Sequence, residues 1–350
     1  MSRSPWSLVL LLAACVSPPP LEPETGHEAA EPEPVLAATS ASEKAFVGPL
    51  PVSGPPAPVS DAAVEPPVET VVTRATSEAG WELRAEGPYR ILSQLDDART
   101  LDALEVRALA LHARLERDLP GDPGGGAGEA ATVRVFRDLQ GFLEHGGARG
   151  STAFYSSLER EVVVAYASEA SATTAPDAAL QHILVHEYLL GELGLQSLPP
   201  WLLYGLAELY GGMELEEGEL RLPRVEPRLV EEVLHRSPPP SLELLLGYNE
   251  SEFLGRNDQG LSAYAAARLA WSLAYFLEVG REEAGAWHPS WEGLLARCVE
   301  AAREAPPGTE ALAVHGVCSE VDLGALDAAW RHWLGVYAEA SRRRQRARQR

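Results

Sequence analysis

Two histidines four residues apart, His182 and His186, stand in an apolar stretch, and Glu187 follows directly. On a helix, positions i and i+4 share a face, so both imidazoles could meet one divalent cation. An adjacent carboxylate could then take a proton from a metal-bound water, which is the chemistry of metal-assisted hydrolysis. A catalytic zinc keeps three protein ligands and one open position. The third ligand would have to come from Glu192, Tyr204 or Glu208. The plainer alternative leaves His182 on a helix face, hydrogen-bonded to solvent or backbone, with no metal. Three cysteines complete the reactive set. Cys15 lies near the N-terminus, while Cys298 and Cys318 form an even pair that an oxidising compartment is expected to join as a disulfide, the alternative being two buried thiols.

These side chains depend on the elements that hold them. Residues 81–85 read as a first strand. Across 92–119, apolar residues recur at helical spacing (Leu101, Leu104, Ala108, Leu111, Leu115), giving one long amphipathic helix or a broken pair. The glycine-rich stretch 122–128 has no lysine and no strand–loop–helix setting, so it is a loop and not a phosphate cradle. A strand over 132–136 and a short helix over 139–145 follow, then a hairpin of 153–155 with 162–166, turning at 156–160. The helix bearing His182 and His186 spans 178–193, with Gly191 and Gly194 marking its end. Pro199 and Pro200 open the helix 201–210, which carries Tyr204 and Glu208 and stops at Gly211 and Gly212. After a short strand at 219–222 the chain is helical: 229–234, 242–246, 264–277, 291–302 and 323–340. A small sheet followed by helices predicts an α+β domain. Trp330 and Trp333 are expected core anchors of the last helix. The serines show no nucleophile elbow.

The stretch from His182 through His186 and Glu187 to Leu190, followed by Leu198-Pro-Pro-Trp-Leu-Leu-Tyr204-Gly-Leu-Ala-Glu208, resembles the active-site helices of the gluzincins. The nearest likeness is to the thermolysin-like peptidase-MA domains of bacterial secreted proteins. In that pattern His-Glu-x-x-His supplies two zinc ligands and the general base, and a second helix supplies a glutamate ligand and a bracing glutamate. The hairpin with Ala153–Tyr155 looks like the family's substrate-edge hairpin, and the helices over 264–277 and 321–334 like its closing helices, so the likeness covers most of 80–336. It implies a zincin-like fold: a small N-terminal mixed or antiparallel sheet with helices, then a mainly helical half. It also implies the roles. His186 takes the place of the first ligand, Glu187 that of the base, and Glu208 that of the bracing carboxylate. Leu190 stands where the second histidine belongs, Tyr204 where the glutamate ligand belongs, and Leu203 where an asparagine is usual. With two of three ligands replaced, His186 and Glu187 are vestigial and no cofactor is expected. Zinc enters only if His182, His186 and Glu208 build an unorthodox site. Such a shift moves the metal by one helical turn, ~5–6 Å, away from where the second helix points.

The N-terminus concerns address. Arg3 precedes a short apolar run over 6–14, well below the ~20 residues a membrane span needs. Leu12-Ala13-Ala14-Cys15 resembles the lipobox of bacterial lipoprotein signal peptides, which implies cleavage before Cys15 and a diacylglycerol on its thiol. Residues 1–15 are thus the expected signal peptide. Residues 16–77, rich in Pro, Ala, Glu, Ser and Val, are an expected disordered tether. Residues 78–340 form the peptidase-MA-like domain, and 341–350 an arginine-rich tail with six arginines from Arg342 to Arg350. That tail could touch anionic lipid, but is expected to be a solvated helix end. A net charge of −22 argues against a nucleic-acid partner. Val16, in place of the aspartate that signals inner-membrane retention, favours the outer membrane of a Gram-negative host. The expectation is a cell-envelope lipoprotein, lipid-anchored and extracytoplasmic, whose domain is a pseudopeptidase that binds a protein or peptide in its cleft. The alternatives are an active zinc metallopeptidase with an unorthodox ligand set, and a structural lipoprotein whose cleft Leu190 and Tyr204 fill. Cys15→Ala should move the protein from the membrane pellet to the soluble fraction on fractionation; persistent membrane retention of the variant would count against the anchor.

Overall fold

A computed structural model describes residues 80–119, 130–166, 176–223, 240–255, 257–258, 260–283 and 287–348. Cys15, the expected leader and tether, the 122–128 loop and the 229–234 helix lie outside the described residues.

The N-terminal half is a five-stranded mixed sheet in the order β1-β2-β3-β5-β4. Strands β1 (Glu82–Glu86) and β2 (Tyr89–Ser93) form a hairpin turning at Gly87, whose φ of 58° suits glycine. Helix α1 (Ala98–Asp118) crosses to β3 (Ala131–Phe136), which lies parallel to β2. After the short α2 (Leu139–Glu144), β4 (Ala153–Ser156) and β5 (Glu161–Ala165) form a second hairpin. β5 runs parallel to β3, which leaves β4 at the edge.

Period-two alternation sets the two faces. Tyr89, Ile91, Val133, Val135, Val162 and Val164 face the main core, against the α1 stripe of Leu101, Leu104, Ala108, Leu111 and Leu115. Phe136, Phe154 and Val163 face the other way, onto Phe142 of α2. The expected helix beginning near Leu92 is corrected. Leu92 belongs to β2, which pairs with strands on both sides, and α1 starts only after the Asp97 cap. Tertiary pairing outweighs local propensity there.

The second half is mainly helical, so the α+β class is what the chain adopts. It comprises α3 (Pro176–His186), a π-helical turn (Glu187–Glu192), α4 (Pro200–Gly211), a hairpin of β6 (Glu214–Glu216) with β7 (Glu219–Arg221), α5 (Leu242–Gly247), α6 (Glu250–Phe253), α7 (Ala263–Glu283), a 3-10 turn (Pro289–Trp291), α8 (Leu294–Glu304), α9 (Glu310–Ser319) and α10 (Leu323–Arg348). α4 packs tightly between α3 and α7. A Cβ on Gly205 would stand 3.0 Å from the Ala270 carbonyl oxygen, so glycine permits that approach. Trp330 and Trp333 of α10 are buried, and Trp330 Nε1 donates to Ser272 Oγ (3.3 Å). The arginine-rich tail continues α10 as far as Arg348, with Arg343 paired to Glu339 at 2.5 Å. Cys298 of α8 and Cys318 of α9 are free thiols, both buried and in contact with each other. Among the described residues, no helix is long and apolar enough to cross a membrane.

One buried ion pair ties the sheet to α2. Glu161, 6% exposed at the start of β5, accepts from Arg134 Nε (2.7 Å) and lies 3.0 Å from His145 Nε2. Burial alone would push its carboxyl up, but the His145 and Arg134 contacts outweigh burial and lower it. A carboxyl lowered on folding adds stability above its unfolded value of about 4.3, and that stability is lost as pH falls through the folded value. Thermal midpoints of the wild type should therefore fall on acidification below about pH 4.3. Those of Glu161→Gln should start lower at neutral pH and change less with acid. Parallel profiles would refute this account of Glu161.

Candidate functional site

α3 enters the core with His186 and Glu187 at zero exposure. His186 Nε2 faces His182 Nε2 at 3.2 Å, so one imidazole donates and the other accepts. His182 Nδ1 stands 3.6 Å from Glu208 Oε1, and Glu208 Oε2 accepts from Arg268 Nη1 of α7 (3.1 Å). Arg268 lies over the Tyr264 ring, 5.2 Å from its centre. The order is linear: His186, His182, Glu208, Arg268. His182 directs its two nitrogens in opposite directions, whereas a zinc site needs its ligands to converge. Among the described residues, His182, His186 and Glu208 do not bring three ligand atoms within 4.8 Å of one another. Burial lowers both imidazole pKa values, and His182 depresses His186 further, so the pair is neutral. His186 Nδ1 has no hydrogen-bond partner.

Glu187 points another way. Its Oε1 accepts from Arg160 Nη2 at 2.7 Å. Arg160 sits in the β4–β5 turn with a φ of +45°, an unusual value for a residue with a side chain. Burial pushes the Glu187 carboxyl up, and the Arg160 guanidinium opposes it. The carboxylate in the base position is therefore held by an ion pair to the sheet. Gly191 admits this arrangement, because a Cβ there would lie 2.8 Å from Glu187 Oε1 and 3.3 Å from Arg160 Nε.

The expected helix through 193 changes character at Glu187. The chain widens into a π-helical turn, where Leu193 N–H donates to the Tyr188 carbonyl (2.9 Å). Leu190, on this turn, lines the cleft, whereas His186 does not. Glu192, the last residue of the turn, reaches α1 and lies 2.9 Å from His112 Nε2, away from His186. The only sequence signal for this widening is Gly191 inside an otherwise apolar helix.

Leu190 and Tyr204 meet a different surface. Tyr204 packs edge-on against His186 (5.6 Å, 73°) and stacks on Phe253 of α6 (4.9 Å, 19°). Both Leu190 and Tyr204 line a cleft of about 620 Å³, together with Tyr155, Leu203, Tyr248 and Leu312. His186 and Glu187 are not among its lining residues. The Tyr248 hydroxyl at the cleft is buried and has no hydrogen-bond partner. β4 borders the same space. The Ala165 N–H bond to the Thr152 carbonyl sets the register, so the main-chain groups of Ala153 and Tyr155 point off the free edge. Ser151 Oγ closes that edge at Ala153, donating to its carbonyl (2.7 Å) and accepting from its N–H (3.3 Å). Tyr155 is the next outward position. Arg160, read in the sequence only as a turn residue, and Tyr248 were missed as site residues because their neighbours lie far along the chain; Gly191, expected to mark the helix end, stands inside the π-helical turn.

No family model matches the chain, and no curated protein matches it. The Arg160–Glu187 pair carries its own test. Removing one partner of a buried pair strands a charge, which costs about 3–5 kcal/mol in fully buried cases; Arg160 is partly exposed, so about 2–3 kcal/mol is expected for Arg160→Leu at neutral pH. Denaturant unfolding should show that loss shrinking as pH falls and the raised Glu187 carboxyl takes up a proton. A penalty equal at every pH would exclude a stranded carboxylate as its cause.

Proposed function

We propose that this protein is a cell-envelope lipoprotein, anchored at Cys15 and favoured at an outer membrane, whose gluzincin-like domain has lost zinc chemistry and acts by binding a peptide. The observation that carries the reading is the position of Leu190 and Tyr204. They stand where the resemblance calls for zinc ligands, and they line the cleft while His186 and Glu187 lie wholly buried beneath. Bound substrate would therefore meet a phenol ring and an aliphatic side chain, which offer no Lewis acid and no basic carboxylate.

The cleft suits binding. Its volume falls in the range that holds a small ligand or one or two large side chains, ~300–1,000 Å³. Tyr155 of the edge strand β4 lines the cleft, so an extended peptide would lie beside that strand, held by its side chains, since Tyr155 itself is 2% exposed. An apolar side chain from the peptide would then enter among Leu190, Leu203 and Tyr248. The Tyr248 hydroxyl can satisfy a polar group at its rim.

The probe is a series of fluorescein-labelled, end-capped hexapeptides read by anisotropy, with Phe, Leu or Gly at one central position. Phe and Leu peptides should bind at least about ten-fold more tightly than Gly, since burying such a side chain is worth about 1.5–3 kcal/mol. Leu312→Asp, at a cleft residue that is 71% exposed and so safe for folding, should remove that preference. Peptides should emerge uncleaved. Chelator-sensitive cleavage that His186→Ala abolishes would overturn the proposal, and equal binding of all three peptides would remove the cleft from it.

A further inference from the structure

Away from the cleft, the described residues bring one set of ligand atoms together. His112 and Glu116 stand i, i+4 on α1 and share a face, and Glu192 reaches them from the end of the π-helical turn. One atom from each, a ring nitrogen and two carboxylate oxygens, lie within 4.8 Å of one another. Without an ion, His112 Nε2 stands 2.9 Å from Glu192 Oε2 and His112 Nδ1 3.5 Å from Glu116 Oε2, so binding would bring both carboxylates round to one ring nitrogen.

A second observation is independent of that cluster's own contacts. Tyr89, 1% exposed, packs its ring edge-on against His112 (5.9 Å, 88°), and its hydroxyl has no hydrogen-bond partner. Glu187 Oε2 is buried and unpartnered too. The charges acting most strongly on the Tyr89 hydroxyl are the carboxylates of Glu187 and Glu192, and Glu187 in turn feels Glu192 and His112. The orphan Tyr89 hydroxyl thus belongs to a ring that packs on the cluster's histidine. Buried polar atoms in folded proteins are nearly always satisfied, by protein, water or an ion.

We propose that His112, Glu116 and Glu192 bind a divalent transition-metal ion beside the buried Tyr89 ring. One imidazole with two carboxylates is a mixed nitrogen and oxygen set, suited to Zn²⁺ and Mn²⁺. Entry is open, since the Glu116 side chain is 57% exposed. The ion would clamp the π-helical turn to α1. Leu190 lies on that turn, so the clamp would also steady the side of the cleft it lines. The site shares no ligand with the His182–His186 pair, and its existence does not depend on the peptide-binding reading.

The test uses the purified full-length protein, stripped with chelator and titrated calorimetrically with Zn²⁺ and, separately, Mn²⁺. One equivalent of at least one ion should bind, and thermal melting should shift upward as that ion is added. Glu116→Gln alters an exposed side chain and should fold normally; it and Glu192→Gln should each weaken binding at least the ~10-fold that even a ligand's supporting partner is worth. Absence of binding by either ion, or binding indifferent to both glutamine variants, would overturn the site.

Discussion

The burial of two adjacent polar side chains, His186 and Glu187, is the constraint around which the second half of the fold is arranged. Both lie at zero exposure, and an unpaired charge or polar group there would cost several kcal/mol. Each is tied through one of its two polar atoms to a different part of the molecule. His186 hands its hydrogen bond to His182, which leans on Glu208 of α4, which is held by Arg268 of α7. Glu187 is neutralised by Arg160 from the sheet. The two neighbours on one helix therefore tie the helical half and the strand half to a common point. Neither group is among the residues that line the cleft.

The π-helical turn follows from the same demand. Adjacent to Glu187 the backbone must pass close to Tyr155, Arg160 and Glu187 itself, and it does so at Gly191. Widening the helix there turns Leu190 towards the cleft and Glu192 towards α1. The turn where the helical pitch changes thus carries both a cleft residue and the partner of His112.

Some of this was legible in the chain. The apolar spacing of Leu101, Leu104, Ala108, Leu111 and Leu115 is the buried stripe of α1, and the proline pair at 199–200 opens α4 as expected. Trp330 and Trp333 anchor α10 in the core. Strand β2 was not legible, because Leu92 continues a helical pattern and only pairing with β1 and β3 decides against it. Helix α6 escaped notice because it is a single turn that depends on its Asn249–Glu252 capping box more than on periodicity, and α9 because it buries only Glu310, Val314 and Cys318 and so shows little apolar stripe. The disulfide expectation stands beside two buried free thiols in contact on α8 and α9.

The sequence by itself determined which side chains can carry chemistry. It put leucine at 190 and tyrosine at 204, and no folding can make those into zinc ligands. Periodicity and caps likewise determined most helices and the α+β order, since both are local properties of the chain. Tertiary structure decided direction and company. That His182 points its nitrogens apart, that Glu187 faces Arg160, and that Glu192 turns to His112 depend on contacts between residues up to 80 positions apart. Those contacts are fixed by packing around a shared core, and a one-dimensional pattern holds no record of which distant partner a buried charge will meet.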